Sequence, residues 1–240
     1  MQKTIAIIPA RYASTRFPGK PLAKIGNKPM IQHVYERVMG CGFISKVVVA
    51  TDDQRIQQAV TSFGGEVIMT SSEHQSGTDR CLEAYGKTGE EYDIILNVQG
   101  DEPFIREEQL KILLDLFKSK SVEIATLAKA LSPDAANDKN KVKVVFDKNG
   151  KALYFSRSKI PWGEQNSYWK HLGIYAYRSN ILPKIAALDV SRLEKSEKLE
   201  QLRWLENGYT IHVGQTAFES IAVDTPEDLE QANAFLKNMR

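Results

Sequence analysis

Four apolar runs in the first hundred residues, "KTIAII", "KVVVATD", "EVIMT" and "DIILNVQ", are separated by segments of helix length. That rhythm leaves few folds open. Strands with one wet face alternate apolar and polar residues, whereas these runs are apolar nearly throughout and read as strands covered on both sides. The segments between them, "PMIQHVYERVMG", "DQRIQQAVTSFGG" and "GTDRCLEAYGK", carry apolar residues at helical spacing. The first opens with Pro29 near its first turn, and the second stops at Gly64 and Gly65. A further helix, "REEQLKILLDLFKSK", is acidic at its start and basic at its end, as the helix dipole prefers. Repeated β-α-β order predicts an α/β fold on a mostly parallel sheet with helices on both faces.

The pattern changes after about Ser121. "VEIATLAKAL", "KVKVVFD", "KALYFSR" and "WKHLGIYAYR" read as strands with few helices between them, and Asn149-Gly150 signals a hairpin. "SEKLEQLRWLENG" reads as one helix ending at Gly208, and "TPEDLEQANAFLKNM" as a last helix capped by Thr225 with Pro226 just inside. The expectation is one domain over residues 1–240 with an antiparallel insertion at about 132–191. Formal charge is only +2, from 32 basic and 30 acidic residues, so no general electrostatic case for nucleic acid arises. Cys41 and Cys81 form no metal or redox spacing, and no apolar stretch approaches membrane-spanning length. The N-terminus turns basic too soon for a signal peptide, so a cytoplasmic setting is expected.

Basic residues then matter only where they cluster, as Arg11, Arg16 and Lys20 do in "PARYASTRFPGKPL". This stretch follows the first predicted strand, at the sheet edge where open α/β folds bind ligands. It lacks both the G-x-x-x-x-G-K-[ST] and the G-x-G-x-x-G fingerprints. Its main-chain N–H groups, the hydroxyls of Ser14 and Thr15, and three cations nevertheless suit a triphosphate. Pro18-Gly19-Lys20-Pro21 stiffens the loop and argues against a merely solvated turn. Asp101 follows a strand and Gly100, and Asp224 ends the apolar stretch "SIAV"; two such carboxylates can hold Mg²⁺ with substrate phosphate, although Asp224 also reads as a helix-entry residue. Arg157 offers a planar fork for a carboxylate or phosphate.

"IPARYASTRFPGKPL", "MIQHVYERV", "VVVATDDQRI", "SGTDR", "ILNVQGDEP", "ALYFSRSKIPW", "HLGIYAYR", "LEQLRWLENG" and "VDTPEDLE" occur in this order along nearly the whole chain. Together they resemble the sugar-activating cytidylyltransferases, in the branch whose sugar is 3-deoxy-manno-octulosonate (KDO). The resemblance implies a Rossmann-like nucleotidyltransferase sheet and transfer of CMP from CTP to the anomeric hydroxyl of KDO, with Mg²⁺ and release of pyrophosphate. It also implies a homodimer in contact through the antiparallel insertion, and a product used in lipopolysaccharide assembly.

Carried onto this sequence, the family pattern matches Arg11 and Lys20 to triphosphate binding, with Ser14 and Arg16 in the same loop, and Asp101 and Asp224 to the metal. Lys20, Arg11 and Asp101 are then the catalytic candidates, with Asp101 or the metal handling the hydroxyl proton. Ala10, Ser76, Gly77 and Gln99 fall on the nucleotide side; Arg80, Gln99, Arg157, His171, Tyr175, Glu200 and Gln201 fall on the sugar side. His33 and His212 read as structural, and Trp162, Trp169 and Trp204 as packing or dimer residues. Two departures stand out. Gly163 and Glu164 follow Ile-Pro-Trp where the family carries an arginine, and Ala222 replaces a glycine. An acidic residue near the sugar could face a cationic substituent, which opens the 8-amino analogue of KDO as an alternative; a trimmed surface loop is the plainer account. Another acidic sugar such as a sialic acid, or a non-catalytic nucleotide-binding regulator, are the remaining readings.

Overall fold

The computed structural model describes residues 2–13, 17–163, 165–218 and 222–238. The chain forms two compact units, Met1–Glu107 with Ser220–Arg240, and Glu108–Glu219. In the first unit the elements follow in order: β1 (Thr4–Ala10), the short hairpin β2 (Lys24–Ile25) and β3 (Lys28–Pro29), α1 (Met30–Met39), β4 (Lys46–Thr51), α2 (Gln54–Ser62), β5 (Val67–Met69), α3 (Gly77–Lys87) and β6 (Ile94–Asn97). β1 is central, parallel to β4 on one side and to β6 on the other, and β5 adds in parallel to β4. Ile5 to Ile8 of β1 have no exposed surface, which is why that run carries no polar alternation. α2 is capped by Asp53, which accepts from the Arg55 amide at 2.8 Å, and α3 by Ser76, which accepts from the Asp79 amide at 3.1 Å. All four parallel strands therefore end on one edge, and the loops after β1, β5 and β6 share it.

The second unit opens with α4 (Glu107–Asp115), then β7 (Ile124–Leu131), β8 (Lys143–Phe146), β9 (Ala152–Ser156), β10 (Tyr168–Arg178), α5 (Leu182–Ala186), α6 (Arg192–Glu197), α7 (Gln201–Glu206) and β11 (Ile211–Thr216). β10 runs antiparallel to β7 with a register shift between Leu172 and Tyr175, and β8 and β9 form the expected hairpin, with Gly150 at φ 79. The antiparallel stretch anticipated at 132–191 lies inside this unit, which begins earlier.

Two features differ from the sequence reading. β11 pairs in parallel with β7 although no strand was anticipated there, because Gly214 interrupts its apolar pattern. A Cβ at Gly214 would stand 2.9 Å from the Ile112 and Leu127 side chains, so the glycine marks close packing rather than a loop. The single helix anticipated at "SEKLEQLRWLENG" is two, α6 and α7, broken at Lys198, which takes φ 54. A capping box between Ser191 and Glu194 starts α6 early and uses up its run.

The last helix, α8 (Pro226–Asn238), belongs to the first unit. Ala232 is buried in it, in a cluster with Ile25, Met30, Phe104 and Val223. Among the described residues, no helix is long and apolar enough to cross a membrane.

Candidate active site

A cleft of about 290 Å³ opens at the carboxyl edge of the first unit's sheet. β1 delivers Pro9, Ala10 and Arg11 to it, and the following loop returns Lys20. The return depends on Gly19, which takes φ 71 and donates its amide to the Tyr12 carbonyl at 2.9 Å; a side chain there would be strained. β6 delivers Gln99, Gly100 and Asp101. A Cβ on Gly100 would lie 2.9 Å from the Pro9 carbonyl, so the ends of β1 and β6 approach this closely only with glycine. Asp224 comes from the far end of the chain: the Val223 amide donates to the Asp101 carbonyl at 2.9 Å, and Asp228 in the first turn of α8 accepts the Asp224 and Thr225 amides at 3.0 Å each.

The three charged side chains meet. Lys20 Nζ donates to Asp101 Oδ2 at 2.6 Å and to Asp224 Oδ1 at 2.9 Å. Burial pulls the Lys20 pKa down, but attraction and hydrogen bonds from Asp101 and Asp224 outweigh it and hold the ammonium above the ordinary lysine value. Arg11 is exposed and makes no ion pair among the described residues. Ser14 and Arg16, anticipated in the same loop, lie outside the described residues. Ser76 and Gly77, with His74 and Gln75, form another wall at the start of α3.

Could the pair hold Mg²⁺? The fit is tested by what already sits between them: a cation of one positive charge, touched by one oxygen from each carboxylate. Among the described residues no group of three or more protein ligands gathers, but Mg²⁺ is ordinarily held by one or two carboxylates, with waters and substrate phosphates completing its shell. The donor set fits.

The sugar-side candidates divide. In the second unit, His171 packs edge-on against Phe155 at 4.9 Å and tilts toward Tyr175 at 5.4 Å. Its ring lies deep enough that burial pushes its pKa down to about 3, so it is neutral. The Thr126 hydroxyl has one proton, which points at the Leu172 and Ile174 carbonyls at 3.0 and 2.8 Å; it therefore accepts from His171 Nε2 at 3.0 Å, and Nδ1 is left as an acceptor. Tyr175 also meets Trp204 edge-on at 5.1 Å. The Tyr175 hydroxyl, Gln201 Nε2 and Trp204 Nε1 are buried with no hydrogen-bond partner among the described residues. Buried polar atoms without a partner are uncommon in folded proteins. Glu200 adjoins Gln201 at the start of α7.

Two arginines of the sugar-side set are engaged within the chain. Arg80 lines the cleft but is 4% exposed, with Nη1 donating to Thr70 Oγ1 at 2.6 Å and lying 3.3 Å from Asp52 Oδ1. Arg157 spends three of its N–H groups on the Glu197, Lys139 and Lys198 carbonyls, so its fork braces the chain in this structure. Gly163 takes φ 90, and Glu164 lies outside the described residues. His74 was given no role by the sequence, and Trp204, read there as a packing or dimer residue, is fully buried against Tyr175 and Tyr177. The sequence around His74 does not separate a ligand contact from a packing residue, and only its place in the cleft lining does so.

Known proteins resemble this chain over nearly its whole length. A family described as cytidylyltransferase matches residues 5–239. A protein of Phocaeicola vulgatus named 3-deoxy-manno-octulosonate cytidylyltransferase is 54% identical over 248 residues, covering 98% of each chain. A Shewanella baltica protein named 8-amino-3,8-dideoxy-manno-octulosonate cytidylyltransferase is 49% identical, covering 94% of this chain and 95% of its own. A solved structure of CMP:2-keto-3-deoxy-manno-octonic acid synthetase complexed with CTP superposes with a TM-score of 0.95 at 45% identity, over 99% of this chain and all of the other.

Proposed function

The chain belongs to the cytidylyltransferase family, and on that premise we propose that it transfers CMP from CTP to the anomeric hydroxyl of KDO, giving CMP-KDO and pyrophosphate. The observation that carries this reading is the convergence of Asp101 and Asp224 on the Lys20 ammonium, in a cleft that also holds Arg11, Ser76 and Gly77. The anomeric oxygen attacks the α-phosphorus, the bond to the β-phosphate oxygen breaks, and pyrophosphate leaves with that electron pair. The hydroxyl proton passes to Asp101 or to water.

Arg11 and Lys20 hold the triphosphate and meet the charge that builds on the departing pyrophosphate, where a fixed cation favours the transition state over the ground state. Two of the three Lys20 N–H donors go to the carboxylates, and turning all three toward phosphate means giving those bonds up. Asp101 and Asp224 would then hold Mg²⁺, which would supply neutralisation of phosphate charge. Gln99, Ser76, Gly77 and Ala10 line the nucleotide's bed. Tyr175, Gln201 and His171 Nδ1 supply donors and an acceptor for sugar hydroxyls, and their unmet hydrogen-bonding capacity supports that part.

The same reading takes the active form as a homodimer in the cytoplasm, feeding lipopolysaccharide assembly. Leu153 at 63%, Val190 at 50% and Trp162 at 96% exposure are the large apolar side chains of the second unit that such a partner would cover. One assay tests the core of the proposal: pyrophosphate release with CTP, Mg²⁺ and KDO, run against UTP, a sialic acid and the 8-amino analogue. Turnover confined to CTP with KDO is expected. Equal or better turnover with the 8-amino sugar would replace KDO as the substrate, and no release with any sugar would remove the activity.

A further inference from the structure

The wall formed by His74, Gln75, Ser76 and Gly77 carries no charged carboxylate, ammonium or guanidinium group; Arg80 lines the cleft beside it with Nη1 engaged by Thr70 and Asp52, and Arg11, Lys20, Asp101 and Asp224 lie on other parts of the lining. If CTP occupies this cleft, its charged phosphates belong with the latter, and the uncharged wall suits the base and ribose. Something must hold that wall still, because it belongs to the loop between β5 and α3, whose residues 71–73 are exposed.

One carboxylate does so. Glu83, on the second turn of α3, accepts at Oε2 from the Ser71 amide at 2.8 Å and from His74 Nε2, so two points of the loop are drawn to one atom of the helix. Its Oε1 is 2.7 Å from Lys87 Nζ, and Lys87 donates in turn to the Met69 carbonyl at the end of β5 at 2.8 Å. Hydrogen bonds from Lys87, Ser71 and His74 hold the Glu83 pKa down at about 2, against the opposing effect of burial. An ionised carboxylate only accepts, so His74 Nε2 carries the proton and the ring is fixed in one orientation. The Glu83 clamp thus orients His74, which lines the cleft, and sets the course of the chain into Ser76 and Gly77.

We propose that Glu83 is a positioning residue for nucleotide selection: it holds the His74–Gly77 wall so that CTP is bound tightly and preferred over UTP, while the chemical step is left to other groups. The proposal rests on the reading of this cleft as the CTP site. Cytosine and uracil differ by exchanging a donor for an acceptor on the base edge, and a wall that can shift discriminates such a swap poorly.

The test is steady-state pyrophosphate release by wild type, Glu83→Gln, His74→Ala, the double variant and Lys87→Met, each with CTP and with UTP. Wild-type turnover with CTP supports the underlying reading; absence of turnover overturns that reading and this inference together. Given wild-type turnover, Glu83→Gln should raise KM for CTP about tenfold, the scale of one charge-assisted hydrogen bond, with kcat within about threefold. The CTP-to-UTP ratio of kcat/KM should fall by a similar factor. His74→Ala leaves the Glu83–Lys87 pair in place, so it carries the test should Glu83→Gln melt below assay temperature. It should raise KM likewise, and the double variant should be no worse than either single one. Lys87→Met, which spares the Ser71 and His74 anchors, should keep a near wild-type KM. An unchanged CTP-to-UTP ratio, a loss confined to kcat, or additive effects in the double variant would each overturn the proposal.

Discussion

Replacing Lys20 by methionine keeps the stem's length, deletes the charge, and leaves Asp101 and Asp224 facing each other. Both carboxylate oxygens lie within 2.9 Å of one nitrogen, which keeps them near each other. Two like charges about 5 Å apart repel by about 3 kcal/mol at an effective dielectric near 20, and by about 1 kcal/mol when screened as in water. With Asp101 27% and Asp224 37% exposed at the side chain, screening is substantial and the lower part of that range applies. A loss of about 1 to 2 kcal/mol in a chain of this size lowers Tm by about 2 to 8 °C. Divalent metal should reverse the loss. In wild type, Mg²⁺ has to displace an ammonium from the two carboxylates, whereas in Lys20→Met it meets an open acidic pair.

The assay is thermal denaturation of wild type and Lys20→Met, each with and without millimolar Mg²⁺, in the absence of nucleotide. The variant should melt lower than wild type without metal and gain more from Mg²⁺. Lys20→Met, Asp224→Asn should lose that gain, because one of the two carboxylate charges is gone. Equal responses to Mg²⁺ in wild type and Lys20→Met, with no difference in their metal-free melts, would show that the pair does not share one cation. Turnover is a separate readout, and loss of a fixed cation beside the phosphates should cost Lys20→Met about a hundredfold or more in kcat.

Gly100→Ala should destabilise the protein by about 1 to 3 kcal/mol and raise KM for CTP, because a Cβ 2.9 Å from the Pro9 carbonyl must push apart two strand ends that line the cleft. A wild-type melt and KM would contradict the close approach. Trp204→Phe removes a buried N–H that has no partner among the described residues and keeps most of the ring, so KM for KDO should rise severalfold with KM for CTP unchanged; an unaltered KM for KDO would make Trp204 a packing residue only. Glu83 has its folded pKa depressed to about 2 from 4.5, so its stabilising contribution is complete above the unfolded value and fades as pH falls from about 4.5 toward 2. Glu83→Gln should therefore flatten the acid limb of Tm against pH over that window, and an identical slope in both proteins would refute the clamp's electrostatic part.

What could be read from the residues, and what could not, follows the physics of each signal. The parallel half was legible because a strand buried on both faces writes itself as an unbroken apolar run, as "TIAII" does in β1. β11 was hidden by Gly214, which reads as a loop residue until Ile112 and Leu127 are seen pressing on it. The break between α6 and α7 was hidden for a related reason, since nothing in "EKLEQ" marks Lys198 for a left-handed turn. The cleft divides in the same way. Lys20 stood out because a lysine between prolines and glycine is costly to place for no purpose. Its pairing with Asp101 and Asp224, 81 and 204 residues away, is a property of the fold alone.

Glu83 is the sharper case. On α3 it forms an ordinary i,i+4 pair with Lys87, and sequence reasoning stops there. The same carboxylate also closes a loop at Ser71 and His74 on the cleft's edge. A residue with an adequate local explanation is one whose second role stays hidden until distances are known. The arginines teach the converse, for Arg157 looked like a ligand-binding fork and its donors go to carbonyls at residues 139, 197 and 198. Residue type sets what a side chain can bind, while the fold decides whether those bonds are still available when substrate arrives.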